Sequence, residues 1–94
     1  MKNRDRASIV ADILSVASKG ARKTRIMYKA NLSYPQLVEY IKLLVDMDLL
    51  EEHILENERN PKVYITTKKG RDFIETVGKL ELQLQTGSRN VGLN

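Results

Sequence analysis

Apolar residues recur at helical spacing through the first part of the chain. Ile9, Val10, Ile13, Leu14, Val16 and Ala17 predict a helix over about 5–18. Lys19 and Gly20 end it as a basic last turn and a C′ glycine. Ala21, Arg22 and Lys23 read as a short connection or a brief strand. Thr24 has the chemistry to cap a second, shorter helix over about 24–30, with Ile26, Met27 and Ala30 facing inward. Asn31 suits a left-handed turn. Ser33 and Gln36 then form the spacing of a capping box, and Pro35 lies in the first turn, where its missing amide hydrogen is no loss. The third helix runs over about 33–47, with Leu37, Tyr40, Ile41 and Leu44 on one face and Glu39, Lys42 and Asp46 on the other.

Helical spacing stops there. Residues 49–55, a polar turn ending at Pro61, and the β-branched and aromatic run 62–66 predict two short strands around a loop. Alternation puts Tyr64 and Thr66 on one side and Val63 and Ile65 on the other, without saying which side is buried. Thr67 can cap a fourth helix from Lys68, slightly weakened by Gly70 in its first turn. Thr86, Gly87 and Ser88 are expected to stop it, leaving 87–94 as a flexible tail. Helix, short helix, turn, helix, hairpin, helix is the order of a winged helix-turn-helix. The expected fold is therefore mostly α (α+β), a winged helix-turn-helix core over 1–66 with a C-terminal helix, 67–86, extending towards a dimer partner.

Composition narrows the function. There is no cysteine and a single histidine, His53, so thiolate and multi-histidine metal sites are excluded. No glycine-rich phosphate loop and no nucleophile–base pair is present, so the chain does not read as an enzyme, and nothing implies a cofactor. No apolar run is long enough to span a membrane and no signal peptide opens the chain, so a cytoplasmic, nucleoid-associated location is expected. The net charge is +4, and its distribution is uneven. Residues 1–33 hold eight basic and two acidic groups; 34–56 hold one basic and six acidic; 57–94 hold seven basic and four acidic. Two basic blocks thus flank an acidic one.

The stretch Lys23-Thr24-Arg25-Ile26-Met27-Tyr28-Lys29-Ala30-Asn31-Leu32-Ser33-Tyr34 resembles a signature of small archaeal winged-helix proteins, among them the chromatin-associated 10a-type DNA-binding proteins. Thr67-Lys68-Lys69-Gly70, after Tyr64, resembles the Thr-Glu-Lys-Gly that follows the wing in this and related families. The resemblance covers about residues 6–80. It implies a winged helix-turn-helix, DNA binding, dimerisation through the C-terminal helix as an antiparallel coiled coil, and an archaeal source. Lys68 departs from the pattern, being basic where the family is usually acidic. Pro35 stands where a basic residue is common.

Binding to double-stranded DNA as a homodimer, as a transcriptional regulator or chromatin protein, is the function expected. The third helix would offer Ser33, Tyr34 and Gln36 to base edges, with Gln36 able to read adenine through a bidentate amide. Glu39 could accept from cytosine, and Tyr40 reads as a packing residue. Phosphate contacts are expected from Arg22, Lys23, Thr24, Arg25 and Lys29 around the second helix, and from Arg59, Asn60 and Lys62 on the wing. On the fourth helix Phe73, Val77, Leu80 and Leu84 are spaced 4, 3 and 4 apart, with Ile74 beside the stripe and Leu82 off it. Phe73 is assigned to the chain's own core, and Ile74, Val77, Leu80 and Leu84 to a dimer interface. The acidic central block leaves one alternative: a winged-helix adaptor that binds protein and not DNA.

Overall fold

The computed structural model describes residues 5–93, with side chains to Leu84. Its elements are α1 (Arg6–Val16), α2 (Lys23–Lys29), α3 (Tyr34–Asp46), β1 (Leu50–Ile54), β2 (Lys62–Thr66) and α4 (Lys68–Leu93). Asp5 caps α1 by accepting from the Ser8 amide at 2.8 Å. The helix ends at Val16, two residues before its expected end. Ser18 and Gly20 bond back to the Ser15 and Ala17 carbonyls, and Gly20 takes φ +100, which favours glycine. Ala21 is a brief strand, exchanging both backbone hydrogen bonds with Tyr64 at 2.8 and 2.9 Å.

The second helix starts one residue early. Its N-cap is Arg22, with no side-chain cap, so the expectation that Thr24 caps it is corrected. Thr24 lies inside the first turn, where its hydroxyl cannot serve as an N-cap acceptor, and its side chain is exposed. Asn31 adopts φ 57 as expected, and Leu32 donates to the Met27 carbonyl to close the turn. The capping box is complete: the Gln36 amide donates to Ser33 Oγ at 3.3 Å, and the Ser33 amide donates to Gln36 Oε1 at 3.0 Å. Asp48, at φ 62, ends α3 by a second left-handed turn, and Leu49 donates to the Leu44 carbonyl.

The two strands pair antiparallel, Leu50 opposite Thr66 and Ile54 opposite Lys62. The structure decides the hairpin's faces: Tyr64 and Thr66 are buried, Val63 and Ile65 half-buried. Ile13, Leu14, Ile26, Leu37, Leu44 and Leu50 are the largest fully buried apolar side chains, so three helices and the hairpin share one core. Thr66 lies in that core. Its hydroxyl donates to the Leu14 carbonyl at 2.6 Å, and its amide donates to the Ala17 carbonyl at 3.0 Å. The end of the wing is thereby tied to the end of α1.

The start of α4 belongs to the same junction. Thr67 Oγ1 donates to the Asp48 carbonyl at 2.7 Å and accepts from the Gly70 amide at 3.0 Å, so Thr67 is the expected cap. Gly70 is more than a weak helix former. A Cβ there would overlap the Leu49 carbonyl oxygen and meet Thr66 Cγ2 at 2.6 Å, so only glycine lets α4 approach the start of β1 this closely. Phe73 and Ile74 pack partly against the core. At its far end α4 runs past Thr86, Gly87 and Ser88 to Leu93, which corrects the expected stop and tail. One glycine costs a helix only about 1 kcal/mol, too little to terminate it. Asn94 lies outside the described residues.

Gly70→Ala is expected to destabilise the fold by about 2 kcal/mol through overpacking. Gly78→Ala meets nothing within 4 Å and is expected to stabilise it by up to about 1 kcal/mol. Urea unfolding of the two variants checks this pair; similar shifts in both would refute the close approach at Gly70.

Candidate nucleic-acid interface

Two segments far apart in sequence meet at one surface. Arg22, at the N-cap of α2, donates from Nε to the Asn60 carbonyl at 3.0 Å and from Nη2 to Glu58 Oε1 at 3.1 Å. The tip of the wing is therefore beside the start of α2, and Arg59 is brought to the same region as Lys23 and Arg25. On α2, Arg25, Tyr28 and Lys29 stand three and four residues apart, so they share a helical face. Arg25 and Lys29 are exposed, and among the described residues Tyr28 is the most open of the large hydrophobic side chains at 81%. Tyr28 escaped the sequence assignment of contacts. The inward set Ile26, Met27 and Ala30 implies its outward position.

The eight cationic or hydrogen-bonding candidates around α2 and the wing separate by their partners. Arg22 is paired with Glu58, and Lys62 Nζ lies 3.2 Å from Glu52 Oε2 across the strands. Both are partly neutralised by acidic neighbours on the wing. Asn60 meets Arg22 through its backbone carbonyl. Lys23, Arg25, Lys29 and Arg59 have no ion pair among the described residues, and Thr24 is exposed beside them.

The start of α3 is open. Ser33, Tyr34, Pro35, Gln36, Val38, Glu39 and Lys42 are all exposed, while Leu37, Tyr40, Ile41 and Leu44 face the core. Tyr40 is thus the packing residue it was expected to be. Gln36 is constrained: its Oε1 already accepts from the Ser33 amide, leaving Nε2 to donate. The bidentate adenine contact expected of Gln36 would use Nε2 together with the second lone pair of Oε1, the first being taken by the Ser33 amide. His53 pairs with Glu51 at 3.0 Å on the exposed face of β1.

On α4, Ile74 is half-buried against the chain's own core, which draws it away from the expected dimer set. Val77 is half-buried, and Leu80, Leu82 and Leu84 are 53%, 64% and 62% exposed. Among the described residues no cluster of three histidines or carboxylates is placed to hold a metal ion, and no helix is long and apolar enough to cross a membrane.

Known proteins share this fold. The model of the winged helix-turn-helix family matches residues 3–84. An uncharacterised protein of Methanocaldococcus jannaschii is 33% identical over 75 residues, which is 79% of this chain and 32% of that protein. The chain thus spans about a third of that relative's length. The crystal structure of Sso10a-2, a DNA-binding protein from Sulfolobus solfataricus, is similar with TM-score 0.75 and 27% identity, over 95% of this chain and 94% of that one. A mutant of S. aureus MepR bound to an oligodeoxyribonucleotide is similar with TM-score 0.73 over 89% of this chain and 61% of that one. At 11% identity that likeness speaks for the fold alone.

Two groups of β2 titrate abnormally. Burial pushes the Tyr64 phenol above its ordinary 10.0, with a smaller push from Glu52. The hydrogen bond and charge of Glu52 raise Lys62 above 10.5. Both folded values exceed the unfolded ones, so the stability they contribute is full below about pH 10 and is lost as pH rises beyond it. Urea midpoints taken from pH 8 to 11 are expected to fall in the alkaline half of that range. Tyr64→Phe is expected to flatten the fall; an equally steep fall in the variant would assign it to other groups.

Proposed function

We propose that this chain, which belongs to the winged helix-turn-helix family, binds double-stranded DNA as a homodimeric regulator or chromatin protein. The observation that carries the proposal is the pair of Arg22 contacts that sets the wing tip, with Arg59, beside the start of α2, whose Lys23, Arg25 and Lys29 have no ion pair among the described residues. A duplex is a regular array of phosphates, and cations on two elements that flank one groove suit it. The cations hold the protein on the backbone, and Tyr34 and Ser33 approach the bases from the first turn of α3. Gln36 contributes its Nε2 donor and the second lone pair of Oε1. Tyr28, between Arg25 and Lys29, adds a hydroxyl donor and an apolar ring. Arg22 and Lys62 are set apart from the other cations by their acidic partners. The DNA-binding description of Sso10a-2 agrees with this reading.

Dimerisation is proposed through the outer part of α4. The helix has 26 residues, a length of roughly 39 Å at 1.5 Å per residue. Among the described side chains, its first turns reach the core through Gly70, Phe73 and Ile74. From the half-buried Val77 the apolar stripe continues to the exposed Leu80 and Leu84, and a second copy would cover them. Two copies would then present two α3 helices to a site with two-fold symmetry.

Binding to a random-sequence duplex across a salt series tests the first half. The logarithm of affinity is expected to fall with the logarithm of salt at a slope of about −3 to −4 per subunit, the sum of four phosphate contacts. Arg25→Ala and Lys29→Ala are each expected to make the slope shallower by about one. No binding at low salt would overturn the DNA reading and favour a protein-binding adaptor. Mass in solution tests the second half. It is expected to be that of two chains, and Leu80→Asp or Leu84→Asp to reduce it to one.

A further inference from the structure

We infer that Arg22 is a positioning residue of the proposed DNA-binding surface, clamping the wing so that Arg59 is held at a fixed place beside α2. The inference rests on the DNA reading above and gives Arg22 a different task from the other cations. Its guanidinium contacts the two residues that flank Arg59 in sequence, the Glu58 carboxylate and the Asn60 carbonyl. Those contacts span 36 and 38 residues of chain. The loop is otherwise held at its base, where the Leu55 amide donates to the Pro61 carbonyl at 2.8 Å. Every residue from Glu51 to Asn60 is exposed, so no apolar packing fixes the tip.

Among the described residues, Arg22 supplies the hydrogen bonds that join the tip, 56–60, to the rest of the domain. A planar fork suits this task. It donates to a carboxylate and to a peptide carbonyl together, which the single ammonium of lysine does less well. The charge of Arg22 is meanwhile offset by Glu58, which makes it a poorer phosphate ligand than Arg59. Both acceptors sit on a short loop, so anchoring them limits where the Arg59 side chain can begin. Ordering the tip before DNA arrives removes that entropy cost from the binding step.

Charge and clamping are separated by Arg22→Lys, which keeps the first and loses the fork. Hydrogen exchange of amides 56–60 is measured on the free 94-residue chain, and duplex affinity on the same samples. Arg22→Ala and Arg22→Lys are both expected to speed exchange at the tip roughly two- to fivefold, the scale of an exposed ion pair. Both are expected to lose affinity, and Arg22→Ala/Arg59→Ala to bind no more weakly than Arg59→Ala. Arg59→Ala alone is expected to leave exchange unchanged. The inference is overturned if Arg22→Ala leaves the tip's exchange unchanged. It is also overturned if Arg22→Lys binds like the natural chain, or if the Arg22 and Arg59 losses add, since affinity would then follow charge. If the natural chain binds no duplex, the DNA reading fails by itself, and the exchange comparison still decides whether Arg22 clamps the wing.

Discussion

The hydrogen bond from the buried Thr66 hydroxyl to the Leu14 carbonyl, beside that from the Thr66 amide to Ala17, ties the end of the wing to the end of α1. One residue further on, Thr67 reaches the Asp48 carbonyl and caps α4. Three residues after that, Gly70 lets α4 pass against the Leu49 carbonyl. The end of α1, the turn after α3, the base of the hairpin and the start of α4 therefore meet within a few ångströms. Each bond contributes only about 1 kcal/mol net, but the geometry leaves little freedom. A buried hydroxyl without its acceptor, or a side chain at Gly70, would force the hairpin away from α1. The orientation of the wing, and with it the place of Arg59, depends on this junction.

Electrostatics is arranged on top of that frame. The sequence separates charge into basic, acidic and basic blocks, and folding brings the outer two together while threading acidic residues between them. Glu52 and Glu58 each hold one wing-side cation, Lys62 and Arg22, in pairs that face solvent. Such exposed pairs add little stability. Their larger effect is to sort the cations into those already neutralised and those still open to an anion. Around α2 and the wing the open ones are Lys23, Arg25, Lys29 and Arg59, and α3 adds the exposed Lys42. Helix 3 carries Glu39 and Lys42 among its exposed residues, so attraction to a polyanion would come from its neighbours and discrimination from its short polar side chains.

The fourth helix divides along its length. Gly70, Phe73 and Ile74 belong to the domain core, and Leu80, Leu82 and Leu84 to solvent in a single copy. An exposed apolar stripe on a helix that projects from a small domain invites a partner.

Much of this molecule was legible in the chain. The capping box at Ser33 and Gln36, the left-handed turn at Asn31, the buried face of α3 and the two strands all follow from rules that act over a few residues. The family resemblance seen in Lys23 to Tyr34 agrees with the matches to known winged-helix proteins. What local rules missed were matters of distance and competition. Periodicity could not say which face of β2 is buried, because that depends on the α1 carbonyls waiting for Thr66. Composition counted Arg22 and Lys62 with the other cations, because their acidic partners are remote along the chain or across a strand pair. Gly70 read as a weak helix residue, because only the packed structure shows a carbonyl where its side chain would be. Local spacing determines which helices and strands form, since their hydrogen bonds and caps close within a few residues. Tertiary structure decides which side chains remain free to act, since burial and charge pairing depend on segments that meet only after the chain has folded.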